Sequence, residues 1–218
     1  MQPLPDEFDI LHYVRITDVR KNNAIFTRRS IRKYEITPIP KEIIEEVIKA
    51  AQAAPSAKNR QPWKYLVYSG NAKKEILDIF RQGIAREEKN PMLPFSSFGI
   101  PDAKNTLNIM ENAPVVIMVI NTNGKSPFSS LNDDERFTEI NDSMSIGASI
   151  ENMLICAEEI GIGSLWIGNT CFAYKELVDY LKINDCGQLI GAVALGYKAQ
   201  NPSARPRKNI EEIVEYYN

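Results

Sequence analysis

The chain has 218 residues, enough for one compact domain with a sizeable core. With 44% hydrophobic and 25% charged residues it has the composition of an ordinary globular fold, and its formal net charge of −2 offers nucleic acid and anionic membranes no general attraction. An anion-binding site in this chain must therefore be a local cluster of basic side chains.

The longest apolar run, residues 115–120, is too short to span a bilayer. The opening MQPLPDEFDILHYV lacks a basic segment followed by an apolar core, so no signal peptide is expected and the expected location is cytoplasmic. Cys156, Cys171 and Cys186 form none of the close pairs of a zinc site or redox CxxC motif, and read as buried small residues. His12 is the only histidine, which argues against Ser-His-Asp and Cys-His catalysis and against a metal site built from several imidazoles.

Residues 1–16 read as an N-terminal arm, and 17–218 as a single domain with no internal repeat. A helix is expected over about 17–27, then a basic run that Pro38 and Pro40 close, with Pro40 suited to the first turn of the next helix. In that helix Ile43, Ile44, Val47, Ile48 and Ala51 share a face, and Pro55 stops it. A loop over 55–63 leads to a strand at 64–68. Asn71 can cap a helix in which Ile76, Phe80 and Ile84 recur every four residues. Residues 89–102, with Pro91, Pro94 and Pro101, read as irregular and flanked by a helix near 103–112. The uninterrupted apolar run 115–120 is the pattern of a strand covered on both faces. Residues 142–160 form the longest helical pattern, apolar nearly all round, with Ser145, Gly147, Ala148 and Ser149 small enough to admit a second helix. A strand at 164–167, a helix at 173–183 and a strand at 189–195 follow. Strands separated by helices indicate α/β or α+β layering.

Four segments could carry chemistry. If residues 28–32 are extended, Arg28, Ser30 and Arg32 point one way, and guanidinium forks match phosphate oxygens; a solvated basic turn is the plain alternative. A second basic segment, Ala204-Arg205-Pro206-Arg207-Lys208, is equally ordinary alone, but folding could bring both onto one dianionic group. In Pro55-Ser56-Ala57-Lys58-Asn59-Arg60-Gln61-Pro62-Trp63 the side-chain amides suit the edge of a heteroaromatic ring, or simply line a polar loop. The run from Gly161 to Asn169 is no dinucleotide fingerprint, because Trp166 stands where GxGxxG needs glycine and the run follows a helix. Its glycines turn the chain and leave backbone N–H groups open around Gly168.

These four segments, in this order and at these intervals, resemble the nitroreductase family of flavoproteins over about residues 25–217. The resemblance implies an α+β fold, a mixed sheet sandwiched by helices, built as an intertwined homodimer with FMN at the subunit interface. It implies that Arg28, Arg29, Ser30 and Arg32 bind the phosphate and ribityl of FMN, and that Arg205 or Arg207 adds a second clamp. It implies that Pro55, Ser56, Asn59 and Gln61 reach the cofactor of the partner subunit, and that the backbone of Ile167 and Gly168 faces the flavin ring. The implied reaction takes hydride from NADH or NADPH and reduces nitroaromatic, quinone or similar electron-poor acceptors by a ping-pong mechanism. No side-chain catalyst is expected, since the flavin carries the chemistry. A reductive dehalogenase or a flavin carrier would use the same cofactor residues. Residues 84–113 match no part of the family pattern; within them 89–102 is the expected cover, with Phe95 and Phe98 as candidate substrate contacts.

Overall fold

The computed structural model describes residues 23–94, 96–183 and 187–217. The N-terminal arm, His12, Phe95, Cys186 and the start of the first helix lie outside them. Among the described residues six α-helices and four strands follow in order: α1 (Ala24–Thr27), α2 (Lys41–Gln52), β1 (Trp63–Ser69), α3 (Gly70–Lys89), α4 (Ser96–Asn112), β2 (Val115–Asn121), α5 (Asp133–Glu159), β3 (Ile162–Ile167), α6 (Tyr174–Leu181) and β4 (Gln188–Tyr197). The sheet order is β1-β2-β4-β3, and the named strands pair antiparallel. Parallel pairing enters through one bridge, between Ser30 and Ser164.

β2 is buried along its whole length, as its unbroken apolar run requires. Because side chains alternate across a strand, Val116, Met118 and Ile120 join the core made with α3, α4 and α6. Val115, Ile117 and Val119 join the opposite core, against α2 and α5. The expected stripes hold: Val47 and Ala51 of α2 and Ile76, Phe80 and Ile84 of α3 are buried, while Ile43, Ile44 and Ile48 pack at the core's edge. No helix among the described residues is long and apolar enough to cross a membrane.

Several expectations need correction. Pro40 is the N-cap of α2 rather than its first-turn residue, and α2 ends at Gln52, before Pro55. The cap of α3 is Ser69, not Asn71, which lies inside the helix. The segment 89–102 is irregular only at its start, because α4 begins at Ser96 and carries Pro101 inside it. A buried carboxylate makes that possible. Glu87 accepts hydrogen bonds from the backbone N–H of Met92 (2.8 Å) and Leu93 (2.7 Å) and from the Ser96 hydroxyl, folding the chain into the new helix. Helix α5 begins nine positions before the expected 142, at Asp133, where Asn132 and Glu135 form a reciprocal capping box. Its first turns leave Phe137, Ile140 and Met144 exposed, so they present no core stripe for periodicity to find. The helix expected at 173–183 starts at Tyr174, ends at Leu181, and is preceded by a 3-10 turn over Asn169–Ala173. Cys171 on that turn is exposed, contrary to expectation, and Cys156 is half-buried. The turn comes so close to α3 that a Cβ on Gly83 would lie 2.2 Å from that of Ala173.

Burial alone would raise the pKa of Glu87, but hydrogen bonds from Ser96, Leu93, Met92 and Arg86 hold it below the usual carboxylate range. A depressed folded-state pKa means that this stabilisation is complete at neutral pH and is lost as acid protonates the group. Glu87→Gln is expected to lower unfolding free energy at pH 7 by about 1–3 kcal/mol. Urea unfolding should show the gap to wild type narrowing as pH falls below the ordinary value of 4.5.

Candidate functional site

Asn23 caps α1 by accepting the Ile25 N–H (3.0 Å), and the helix stops at Thr27 as Arg28 turns extended (ψ 137°). The following segment lies along β3: Ile31 N–H donates to the Ser164 carbonyl at 2.9 Å. Ile31 is buried in the core, and the alternation turns Ser30 and Arg32 the other way. The chain returns through Tyr34, whose bridge to Lys198 ties this segment to the end of β4.

Ser30 and Arg32 thereby face the C-terminal segment across a cavity of about 410 Å³. Arg28, Arg29, Ser30 and Arg32 line one side; Ser203, Arg205 and Arg207 line the other. Five arginines and two serines line it, and among the described residues the lining holds no carboxylate. Their neighbours divide the labour. Arg28 Nε lies 3.1 Å from Glu151 of α5, which offsets part of the positive charge from outside the cavity. Arg29 Nη1 donates to the carbonyls of Phe26, Thr27 and Arg28 and so closes the end of α1. Arg32 makes only a long bond to the Ser30 carbonyl (3.2 Å), and Arg207 makes two to Arg205 and Pro206 (3.4 and 3.3 Å). Arg28, Arg32, Arg205 and Arg207 are thus the better placed to take an anion, while Arg29, also in the lining, turns its Nη1 to the end of α1.

The other expected residues do not line this cavity. Pro55, Ser56, Asn59 and Gln61 sit on a loop packed on α5. Lys58, Asn59 and Gln61 have φ of 53°, 52° and 49°, a left-handed backbone that non-glycine residues adopt at a cost. Anchors hold it there. Ser56 Oγ accepts from Gln61 N–H (3.0 Å), Ser145 Oγ accepts from Ala57 N–H (3.3 Å), and Arg60 donates twice to Asp142, which is 1% exposed. Asn59 and Gln61 point outward and are exposed, their side chains 3.3 Å apart. Asp142 and Glu151 lie nine positions apart on α5, about 13 Å along its axis at 1.5 Å per residue.

Ile167 is buried at the end of β3, and Gly168 is exposed with open space where a side chain would stand. The next residue, Asn169, clamps this turn to α4 by donating to Asp102 (2.8 Å) and Thr106 (2.9 Å). The ring of Phe172 fills the place where a Cβ on Gly99 would be, 2.3 Å away. Phe98, on the first turn of α4, is 91% exposed. Ser145 and Ser149, expected on an outer face of α5, point inward: Ser149 shares a hydrogen bond with the Tyr65 hydroxyl. Sequence reasoning missed Ser203, and it missed the exposure of Trp166 just before the Gly168 turn. The signal was available in the second case, since a tryptophan stands where the strand meets an open glycine.

A model of the nitroreductase family matches residues 25–197. A curated protein of Archaeoglobus fulgidus, provisionally named as an NADH dehydrogenase/NAD(P)H nitroreductase, is 31% identical over 180 residues, covering 79% of this chain and 82% of its own. A provisionally named nitroreductase of Desulfovibrio desulfuricans, solved in complex with FMN, is 26% identical with a TM-score of 0.65, over 89% of this chain and 95% of its own. The nitroreductase-like family protein of Bacillus cereus shares the fold at a TM-score of 0.69 and 21% identity, over 89% and 94% of the two chains.

Of the anchors of the strained loop, one is an ion pair, Arg60 to Asp142. Arg60→Ala leaves the Asp142 carboxylate buried without its cation, a change expected to cost about 3 kcal/mol. Faster amide hydrogen exchange across 56–61 in the variant would report the released loop; wild-type protection there would refute the anchoring.

Proposed function

The chain belongs to the nitroreductase family, and we propose that it is an FMN-dependent oxidoreductase, reduced by NADH or NADPH, that reduces nitroaromatic, quinone or similar electron-poor acceptors. One observation carries the reading: two arginine clusters far apart in sequence line a single cavity, with no carboxylate among the described lining residues. Such a donor set fits a terminal phosphate dianion, which accepts several charge-assisted hydrogen bonds at once. The FMN complex of the Desulfovibrio relative supports the choice of cofactor.

Arg28, Arg32, Arg205 and Arg207 would hold the phosphate, with Ser30 and Ser203 adding hydroxyl donors. Bound FMN supplies the hydride chemistry, so the polypeptide binds, orients and shields. The open backbone at Gly168 would face the ring, and its rigid attachment to α4 keeps it in place. Asn59 and Gln61 lie too far along α5 to serve the cavity of their own chain and project outward, which suits amides that reach the cofactor of a second copy. The exposed stripe Phe137, Ile140 and Met144, beside the half-buried Gly147 and Ala148, gives α5 an apolar face for that copy. The working unit is then a homodimer whose association and FMN binding are linked. Phe98 on α4 would select the acceptor, together with Phe95.

Three measurements test this reading. Arg28→Ala and Arg32→Ala should each weaken FMN binding by about 1.5–3 kcal/mol, the range for hydrogen bonds to charged groups; full retention of FMN through dialysis would refute the phosphate assignment. Initial rates at varied NAD(P)H and acceptor should give parallel double-reciprocal lines, and intersecting lines would exclude ping-pong turnover. Ala148→Glu should reduce dimer and bound FMN together in sedimentation experiments, whereas a folded, FMN-loaded monomer would overturn the dimer.

A further inference from the structure

Every residue of β3 is buried except Trp166, which is 44% exposed. Tryptophan is highly buried on average, so a half-exposed indole on an otherwise sealed strand needs a reason. Ser164, two positions earlier and on the same face, is buried, and the Ser30–Ile31 segment pairs alongside it. Among the described residues that pairing stops short of Trp166. The indole instead lies over two glycines, Gly147 of α5 and Gly191 of β4, where a Cβ would stand 3.7 Å from its Cη2 and 3.9 Å from its Nε1. Glycine at both places leaves the rest of the ring surface free.

The position of this ring along the strand is informative. Residues 28–32 bring the arginines beside Ser164, and Gly168 lies four residues further on. Trp166 is midway, about 7 Å beyond the bridge at 3.3 Å per residue. A ligand with its phosphate at the arginines and its ring at Gly168 must pass the open side of the indole. We infer that Trp166 is a ring-stacking residue, whose indole forms one wall for the isoalloxazine of FMN. This rests on the proposed cofactor. Stacked aromatic rings attract beyond their buried area. An indole in contact also dims flavin emission, because the excited flavin takes one electron from it and returns it without emitting light.

The test uses full-length protein loaded with FMN, carrying Trp166→Phe, Trp166→Leu or, as control, Trp63→Phe. Wild type and the Trp63 variant should hold FMN in a weakly fluorescent form. Trp166→Phe keeps a ring without an easily oxidised one, so affinity should stay within about twofold while bound-flavin emission rises. Trp166→Leu should brighten the flavin and also weaken binding by about three- to tenfold, the span expected for one lost aromatic pair. If the Leu variant does not fold, the brightening in Trp166→Phe decides alone. Phe and Leu variants with wild-type emission and affinity would overturn the inference. So would a fall in dimer affinity with emission unchanged, which would assign the indole to a second copy. A wild-type protein that binds no FMN would overturn the parent reading along with this one.

Discussion

Helix α5 has to bury Ile146, Ile150, Met153, Leu154 and Ala157 against the sheet, and that orientation also sends polar residues inward. Asp142 and Ser149 are fully enclosed, and each needs a partner, because a buried polar group left without one costs several kcal/mol. Arg60 satisfies Asp142, the Tyr65 hydroxyl satisfies Ser149, and Ser145 takes the Ala57 N–H. The partners of these buried groups belong largely to the 56–61 loop. Core packing of one helix therefore dictates a strained loop conformation four elements earlier in the chain. The same helix carries Glu151 to Arg28. Both halves of the candidate site are referenced to one rigid rod.

The arginine cavity is held together under a different constraint. Five like charges repel, and only part of that repulsion is relieved by the chain itself, through Glu151 and through the carbonyls that engage Arg29. Backbone pairing keeps one side in place: Ile31 and Tyr34 are locked into the core, which holds residues 28–32 against the cavity. The phosphate of the proposed cofactor would relieve the remaining repulsion.

Two cases show how far local reading goes. Prolines at 91, 94 and 101 suggest an irregular segment, and by local preference they should. The helix forms because Glu87, remote from its own turn's needs, satisfies the donors that precede α4. In α5, small residues read as room for a neighbouring helix, yet Ser145 and Ser149 are engaged within the chain. The exposed apolar residues Phe137, Ile140 and Met144 stand earlier on the helix, where acidic and apolar residues mix and no stripe stands out.

From the sequence alone came the layering of helices on a sheet (α/β or α+β, which the family resemblance narrowed to α+β), the buried central strand, the helical faces that pack on it, and the two candidate basic clusters. Those follow from periodicities of two and 3.6 residues and from chemistry that neighbouring residues declare locally. The tertiary structure alone decided that residues 28–32 and 205–207 share one cavity, that Arg29 spends its donors on α1, and that Trp166 stands open beside Gly168. Each of these depends on which segments lie next to one another, and adjacency across about 175 residues is set by how the whole sheet closes its two cores, to which no local pattern refers.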